Sequence, residues 1–251
     1  MHISDNTILI TGGGSGIGRA LAEAFQRAGN DVIIAGRRQD ALDTVLAANP
    51  GMHAAVLDIE DGASIAPFAA ALLARFPRLN VVIHNAGIMR PEKLIEGGLD
   101  TAEHTIATNL LGPIRLNDAL LPQLLAQPRA TVITVSSGLA FLPLAATPTY
   151  SATKAAIHAY TMALRHQLKS TSVEVLELAP PYVQTELMGE QQASDPRAMP
   201  LADFISEVMA LIAHGPEHGE ILVERVKPLR NAEASGNYHG FFTTFNEAMA
   251  H

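Results

Sequence analysis

The sequence predicts an α/β fold in which a parallel sheet of about seven strands is doubly wound, with helices on both faces. Short β-branched runs alternate with longer helical patterns along the chain, and a glycine-rich turn joins the first run to the first helical segment. Strands alternating with helices of this length form parallel sheets, because each crossover helix packs back onto the sheet. At 251 residues the chain has the size of one α/β domain, so we expect a single domain over residues 1–251.

The individual elements follow from this alternation. Apolar β-branched runs predict strands at residues 7–10, 31–35, 53–57, 80–84, 131–135, 173–178 and 220–223. Helical patterns predict helices at residues 16–28, 39–48, 63–76, 99–125, 150–169 and within 229–250. Pro113 is expected to bend the long helix at 99–125. The segment at about 186–203, rich in polar residues, proline and small residues, is predicted to be a mobile loop over the substrate.

Composition excludes several classes of function. Apolar residues make up 48% and charged residues 17% of the chain, an ordinary globular balance. The formal charge of −8 argues against nucleic acid or an anionic membrane as the main partner. There is no cysteine for thiolate chemistry, and none of the ten histidines has a metal-ligand spacing, so no metal site is expected. Neither a secretory signal nor a membrane-length apolar run is visible, which predicts a cytoplasmic protein.

The first predicted strand runs directly into a glycine-rich loop. Gly12, Gly16 and Gly18 stand at the spacing G-x-x-x-G-x-G, and a helix follows. Glycines let the backbone approach a ligand closely, and a helix N-terminus offers free N–H groups to a pyrophosphate. A Walker A loop is excluded because no Gly-Lys-Ser/Thr follows. The loop therefore predicts a dinucleotide site, with a tight turn that binds nothing as the alternative.

The end of the second strand indicates which dinucleotide binds. An NAD site usually has an acid here to bind the ribose hydroxyl, but this chain has Gly36 followed by Arg37 and Arg38. A guanidinium binds a 2′-phosphate through charge-assisted hydrogen bonds, whereas an acid would repel it. NADP(H) is therefore favoured over NAD(H), with Arg37 the better candidate, Arg38 second, and Ser15 as a further donor. The alternative for both arginines is a solvated helix start.

Two further loops fit a nucleotide crevice. Asp58 follows the third strand, where a carboxylate could accept a hydrogen bond from the adenine amino group, with a helix-start or turn aspartate as the alternative. Asn85, Ala86 and Gly87 follow the fourth strand, where small residues let the chain approach the ribose. A plain β–α turn is the alternative for this second loop.

A phenol and an ammonium lie together on one predicted helix. Tyr150 and Lys154 are four residues apart, so both can point at one place. Ser137 follows the strand at 131–135, and its spacing to Tyr150 favours it over Ser136. Tyrosine has an ordinary pKa near 10, and a neighbouring ammonium should lower that pKa toward neutrality. These three residue types predict a proton-transfer site.

Taken together, these features resemble the short-chain dehydrogenase/reductase family. The resemblance covers nearly the whole chain and rests on the glycine loop, Asp58, Asn85-Ala-Gly87, Asn109, Ser137, Tyr150 and Lys154, in order and at family-like separations. The stretch from Ser136 through Pro181 is also similar to the DltE-like subgroup of bacterial oxidoreductases. The family implies a Rossmann fold and hydride transfer between a nicotinamide and a carbonyl or alcohol.

The resemblance also implies a role for each residue. Tyr150 would be the acid in reduction and the base in oxidation, Ser137 would bind the substrate oxygen, and Lys154 would tune Tyr150 and hold the nicotinamide ribose. Asn109 would support a water chain to Lys154, unless it is only a helix-distorting polar residue. Further cofactor contacts are expected from Ile17, Ile59, Pro180, Val183 and Thr185. Pro181 replaces the family's glycine, which stiffens the turn before Thr185.

The substrate is the least specified feature. Ser137, Tyr150 and the apolar residues Leu139, Phe141, Leu144 and Met188 are expected to bind it, with Leu142 and Met199 as further apolar lining. The favoured activity is an NADP(H)-dependent carbonyl reductase or alcohol dehydrogenase acting on a small molecule. A non-catalytic dinucleotide-binding regulator and an epimerase or dehydratase are the alternatives. The family implies a homodimer or homotetramer, and His158 and His166 could lie at a subunit interface.

Overall fold

One seven-stranded sheet organises the chain in the computed structural model, which describes residues 1–249. The strands are β1 (Thr7–Thr11), β2 (Asp31–Gly36), β3 (His53–Val56), β4 (Leu79–His84), β5 (Ala130–Val135), β6 (Val173–Leu178) and β7 (Glu220–Ile221). Their order is β3-β2-β1-β4-β5-β6-β7, and every neighbouring pair is parallel. The order reverses between β1 and β4, which opens a crevice at the carboxyl ends of these strands. The predicted doubly wound α/β fold is confirmed.

Helices cover both faces of the sheet. They are α1 (Gly16–Arg27), α2 (Gln39–Ala48), α3 (Gly62–Arg75), α4 (Leu99–Ile106), α5 (Gly112–Ala126), α6 (Pro148–Leu168), α7 (Glu190–Ser194), α8 (Leu201–His214), α9 (Lys227–Arg230) and α10 (Tyr238–Met249). Buried residues of α1, α2 and α8 form one apolar core, and those of α3, α5 and α6 form the other. Alternate strand residues face the two cores: Ile8 and Ile10 face the first and Leu9 faces the second. Strands β1, β4 and β5 are therefore buried on both sides, which explains their continuous apolar runs.

The predicted long helix at 99–125 is interrupted in a different way from the expected bend. A π-helical turn at Ala107–Leu111 separates α4 from α5, and Pro113 lies in the first turn of α5. Proline has no N–H, so Pro113 cannot make the α-helical hydrogen bond to the carbonyl of Asn109 four residues earlier. The disruption therefore lies before the proline, and it places Asn109 inside the irregular turn.

The C-terminal third contains more helix than the sequence predicted. Helix α8 was missed, although Leu201, Ile205, Val208 and Ile212 have helical spacing and bury one face. The segment predicted as a mobile loop contains the short helix α7, and a parallel bridge pairs Val183 with Met199 at its end. The predicted helix within 229–250 is α10, while α9 starts before that range, and residue 250 itself lies outside the described residues. Within residues 1–249 no helix combines the length and hydropathy needed to cross a membrane.

Candidate active site

The glycine loop packs tightly against the end of β4. Gly12 and Gly16 have φ angles of +68° and +52°, a backbone region that favours glycine. A Cβ at Gly18 would lie 2.3 Å from the carbonyl oxygen of Gly12, and one at Gly12 would lie 2.9 Å from the Cα of Ala86. Side chains at these positions would therefore push the loop and the β4 turn apart.

Polar bonds fix the turn after β4. The Thr11 hydroxyl accepts hydrogen bonds from the backbone N–H groups of Asn85 and Ala86, each at 3.0 Å. The Asn85 side chain in turn donates to the Thr11 carbonyl at 3.0 Å. The crevice between β1 and β4 is thus held at a set width by bonds between its two walls.

A cavity of about 440 Å³ begins at the glycine loop and reaches Tyr150. Its walls bring together most of the predicted cofactor and catalytic residues: Gly12, Ser15, Gly16, Ile17, Asn85, Ala86, Gly87, Ser137, Tyr150, Lys154, Pro180, Val183 and Thr185. Residues separated by more than a hundred positions therefore meet along one groove. Its depth and its glycine-lined entrance fit an extended dinucleotide.

The arginines after β2 lie in a neighbouring groove. Arg37 and Arg38 line it together with Gly14, Ser15 and Gly36. The Arg37 guanidinium lies 4.0 Å from the carboxylate of Glu60, which also contacts His104. Within residues 1–249 no ion pair engages Arg38. Arg38 is therefore the less neutralised of the two cations, although the sequence favoured Arg37.

Asp58 and Ile59, the two remaining residues predicted near the adenine, line neither the large cavity nor the groove beside the arginines. Asp58 is exposed, and its carboxylate accepts a hydrogen bond from the backbone N–H of Glu60. Ile59 is buried, and its side chain and carbonyl lie where a Cβ on Gly112 would fall. Asp58 thus lies in a turn before α3, whose N-cap is Asp61, so the turn alternative agrees with its contact and its bond to adenine stays a prediction.

Tyr150, Lys154 and Ser137 all line the large cavity, away from the glycine loop in sequence. Tyr150 and Lys154 lie one turn apart on α6, and Ser137 immediately follows β5. All three are less than a tenth exposed. The Lys154 Nζ donates to the carbonyl of Val135 at 2.8 Å and lies 5.4 Å from the centre of the Tyr150 ring.

Burial dominates the pKa values of this pair. It raises the pKa of Tyr150 to about 12, an effect that the Ser137 hydroxyl partly opposes by hydrogen bonding. It also lowers the pKa of Lys154 to about 8, while the negative charge of Glu177 acts to raise it. The predicted lowering of the Tyr150 pKa by Lys154 is therefore wrong for the protein's own residues, because desolvation outweighs the neighbouring ammonium.

Asn109 connects the π-helical turn to the loop after β4. Its side-chain oxygen accepts from the backbone N–H of Ile88 at 2.8 Å, and its amide donates to the Ile88 carbonyl at 2.9 Å. The amide also lies 3.3 Å from the hydroxyl of Thr153 on α6. Asn109 therefore joins three segments next to Lys154 rather than merely distorting a helix.

A second cavity of about 330 Å³ adjoins Tyr150 on the side away from the glycine loop. It contains the predicted substrate residues Ser137, Leu139, Leu144, Tyr150 and Met188. Phe141 does not line it: its ring packs edge-on against His158 and lies under the guanidinium of Arg230. Leu142 and Met199 are buried elsewhere in the core. His158 contacts Glu177 of its own chain, so its ring faces inward.

Several residues of the site carried no recognisable signal in the sequence. Glu92 accepts hydrogen bonds from the backbone and side chain of Thr149 at the start of α6, at 3.0 and 2.7 Å. Buried Gln192 donates to the Val183 carbonyl and the Thr185 hydroxyl, at 2.9 and 3.1 Å. These contacts join segments tens of residues apart or lie in a segment read as a loop, so no local pattern could reveal them.

The C-terminal helix closes the second cavity. Phe245 and Met249 of α10 line it, and Asn246 anchors the helix to the loop before α6. The Asn246 oxygen accepts from the backbone N–H of Ala145 at 2.6 Å, and its amide donates to the Pro143 carbonyl at 3.1 Å. The sequence placed a helix here but gave no indication that it covers the site.

Comparisons with known proteins agree with this geometry. A family model described as short chain dehydrogenase matches residues 6–196. The uncharacterized oxidoreductase DltE of Bacillus subtilis (strain 168) is 38% identical over 251 residues, which cover 98% of this chain and 98% of the relative.

Two solved structures share the fold. A short chain dehydrogenase/reductase from Burkholderia phymatum, in complex with NAD, has a TM-score of 0.82 at 22% identity, over 97% of this chain and 96% of that one. A short chain dehydrogenase from Burkholderia cenocepacia J2315, in complex with NADP, has a TM-score of 0.80 at 24% identity, over 94% and 96%. The chain belongs to the short-chain dehydrogenase family, within its DltE-like subgroup of oxidoreductases.

Proposed function

We propose that this protein is an NADP(H)-dependent carbonyl reductase or alcohol dehydrogenase that uses Tyr150 as its general acid and base. One observation carries the proposal: Tyr150, Lys154 and Ser137 line the same cavity as the glycine loop. The loop and the proton-transfer group thus share one groove, as hydride transfer requires. The single continuous sheet supports treating the chain as one domain.

The groove fits a nicotinamide dinucleotide. The glycine loop has no room for a Cβ at Gly12 or Gly18, and Ser15 stands as the N-cap of α1 with its side chain unused for capping. The pyrophosphate would lie against this helix start, and the nicotinamide ribose against Tyr150 and Lys154. The two structural neighbours with the same fold carry NAD and NADP, which supports a cofactor of this class.

The charge around β2 supports NADP(H) over NAD(H). No acid stands at the end of β2, where it would repel a 2′-phosphate, and Arg37 and Arg38 both line the groove there. Glu60 partly neutralises Arg37, so Arg38 is the stronger candidate for the phosphate contact.

Proton transfer follows from the buried side chains. When bound, the nicotinamide would supply or accept the hydride, and its oxidised ring would add a positive charge beside Tyr150. Ser137 would donate a hydrogen bond to the substrate oxygen while Tyr150 delivers its proton to the same atom. The raised pKa keeps the phenol protonated at neutral pH, so the resting residue is ready for reduction. Asn109 holds the loop after β4, which passes close to Lys154 at Gly87, and would support a water chain to that lysine.

The second cavity supports a mainly apolar small-molecule substrate. Leu139, Leu144, Met188 and Phe245 line it beside the Tyr150 hydroxyl, and its volume of about 330 Å³ suits a small or medium-sized carbonyl compound. The segment at about 186–203, which contains α7, would move to admit it. We further propose that the protein is cytoplasmic. We also propose a homodimer or homotetramer, because apolar side chains are exposed at Ile106 of α4, Leu111 of the π-helical turn and Met162 of α6.

A kinetic screen tests this function. Purified protein is offered activated ketones and aldehydes with NADPH and NADH side by side, and cofactor oxidation is followed by absorbance. We expect turnover of at least one carbonyl class, faster with NADPH. Tight NADPH binding with no turnover across a broad panel would instead indicate a non-catalytic regulator.

A further inference from the structure

A second cluster of ionisable side chains lies behind Lys154, outside both cavities. It comprises His158 and Arg165 of α6, Glu177 of β6, Glu220 of β7 and Arg230 of α9. None of these residues lines either cavity beside Tyr150. Buried charges are costly, so their presence here calls for a physical reason.

Glu177 is the most deeply buried member. It is 1% exposed, and both of its carboxylate oxygens lie within hydrogen-bond distance of His158 Nδ1, at 2.8 and 3.0 Å. Glu177 pairs in register with Thr134 of β5, whose hydroxyl lies 2.7 Å from that of Thr161 on α6. Paired residues of neighbouring strands face the same side, so the Glu177 carboxylate faces α6.

The same geometry places Glu177 close to Lys154. His158 lies four residues after Lys154, on the same face of α6. The Lys154 Nζ donates to the carbonyl of Val135, the residue next to the Thr134 that pairs with Glu177. Glu177 is also the charged group whose field opposes the effect of burial on the Lys154 pKa.

The other ionisable groups around Lys154 are ion-paired, hydrogen-bonded to backbone carbonyls or uncharged. Glu220 accepts two hydrogen bonds from Arg230, at 2.8 and 3.0 Å, and Arg165 donates to the carbonyls of Val175 and Gly219. Burial lowers the pKa of His84, on the neighbouring strand β4, to about 4, so its ring is uncharged at neutral pH. The Tyr150 phenol is likewise uncharged there, because its pKa is raised.

A metal site explains the cluster less well. His158, Glu177 and Glu220 bring ligand atoms within 4.8 Å of one another. The guanidinium of Arg230, however, engages both oxygens of Glu220, where a cation would have to bind. The arrangement is therefore an ion-pair network in which Glu177 is held directly by His158 and also lies in the field of the Arg230 guanidinium.

We propose that Glu177 is a positioning residue for the reaction: its buried carboxylate, held by His158, is the counter-charge that keeps the Lys154 ammonium protonated beside Tyr150. The effect of Glu177 on catalysis rests on the proposed function. Its effect on the protonation of Lys154 does not. A neutral Lys154 would lose its electrostatic effect on the Tyr150 oxygen and would no longer offer a cation to a nucleotide. Glu177 would thus set the upper end of the pH range in which the site works.

Lysine NMR of the free protein tests the electrostatic content directly. The chain contains only Lys93, Lys154, Lys169 and Lys227, so a ¹³C-lysine-labelled sample gives few signals, and Lys154→Met assigns the one of interest. We expect Lys154 to titrate near pH 8 in the wild type. In Glu177→Gln, which keeps the shape and an acceptor for His158, we expect its midpoint to fall by about one pH unit.

Glu174→Gln is the matched control, because it makes the same change on the same strand at a carboxylate that pairs with the N-terminus instead. Its Lys154 midpoint should equal that of the wild type. If Glu177→Gln does not fold, Glu177→Asp and Glu177→Asn form a second pair of equal length, and the midpoint must be lower in the asparagine variant. Equal Lys154 midpoints with and without the carboxylate at position 177 overturn the inference.

A kinetic measurement tests the catalytic consequence. In wild-type enzyme, kcat/KM for carbonyl reduction should decline above about pH 8. In Glu177→Gln this decline should move to lower pH, by the same amount as the Lys154 midpoint in the NMR titration. A wild type that reduces no carbonyl contradicts the proposed function, while the NMR titration still decides the role of Glu177. An active wild type whose high-pH limb is unmoved by Glu177→Gln contradicts the positioning role alone.

Discussion

The two ends of the cofactor groove are built on opposite physical principles. In the proposed function, binding at the glycine-loop end depends on missing side chains: Gly12 and Gly18 leave no space for a Cβ, and no acid follows β2. Chemistry at the Tyr150 end, as proposed, depends on buried ionisable side chains, with Tyr150, Lys154 and Glu177 all less than a tenth exposed. The first end is therefore sensitive to added volume and the second to the removal of single polar atoms. Variants at the two ends should fail in different measurements.

The largest effect is expected at the ionisable end. Tyr150→Phe removes the proton donor but keeps the ring, so kcat/KM for carbonyl reduction should fall by about 10²–10⁴-fold. NADPH binding, followed by fluorescence, should change little, because the glycine loop is intact. A Tyr150→Phe enzyme with near wild-type turnover would remove this residue from the mechanism and erase the contrast between the ends.

His84, the last residue of β4, should make the folding stability of the protein depend on pH. Neither of its ring nitrogens has a hydrogen-bond partner in the described part of the chain, and burial lowers its pKa from 6.5 to about 4. Between these values the unfolded chain binds more protons than the folded one, so stability should fall as pH drops from 6.5 to 4, by about 3 kcal/mol.

His84→Leu should flatten this slope, as measured by urea unfolding at pH 7, 5.5 and 4.5. Replacement of the exposed His218 by leucine is the control and should leave the slope as it is in the wild type. An unchanged slope in His84→Leu would show that other groups govern the acid sensitivity.

The glycine-loop end should fail by crowding. In Gly18→Ala the new Cβ would stand 2.3 Å from the Gly12 carbonyl oxygen, so the loop must shift at a cost of about 1–3 kcal/mol. We expect this cost as weaker NADPH binding and a lower Tm. Gly14→Ala should be milder, because its nearest contact would be the Cβ of Ala41 at 3.3 Å. Equal effects of the two substitutions would contradict the close approach at Gly18.

The smallest effect concerns the choice of cofactor. Arg38→Asp places an acid beside the expected 2′-phosphate, so the NADPH/NADH ratio of kcat/KM should fall by about 10-fold or more, given the loss of one charge-assisted contact. Arg37→Asp should lower the ratio less, because Glu60 already faces Arg37. A larger effect at Arg37 would restore the order that the sequence favoured.

Local patterns predicted the sheet, the glycine loop and the group formed by Ser137, Tyr150 and Lys154. Each of these depends on short-range spacing: alternation of strands and helices, a four-residue step on α6, or a serine directly after a strand. Helix α8 is equally periodic, so its own sequence also carries the signal of an amphipathic helix.

Other features depend on contacts that no single segment encodes. The high pKa of Tyr150 results from burial by surrounding elements, and Phe141 packs on His158 and Arg230 rather than in the substrate cavity. The partnership of Glu177 with His158 requires the register of β6 against β5 and the docking of α6. Tertiary packing determines each of these three features, and residue spacing in the sequence cannot predict them.

The most direct test of the proposed chemistry follows the hydride itself. NADPH carrying deuterium at the transferred position is incubated with an accepted ketone, and the product alcohol is analysed by mass spectrometry. We predict one deuterium on the carbinol carbon for each NADPH consumed by the wild type, and negligible product with Tyr150→Phe. Cofactor oxidation without deuterium in the product, or equal labelling by Tyr150→Phe, would contradict hydride transfer assisted by Tyr150.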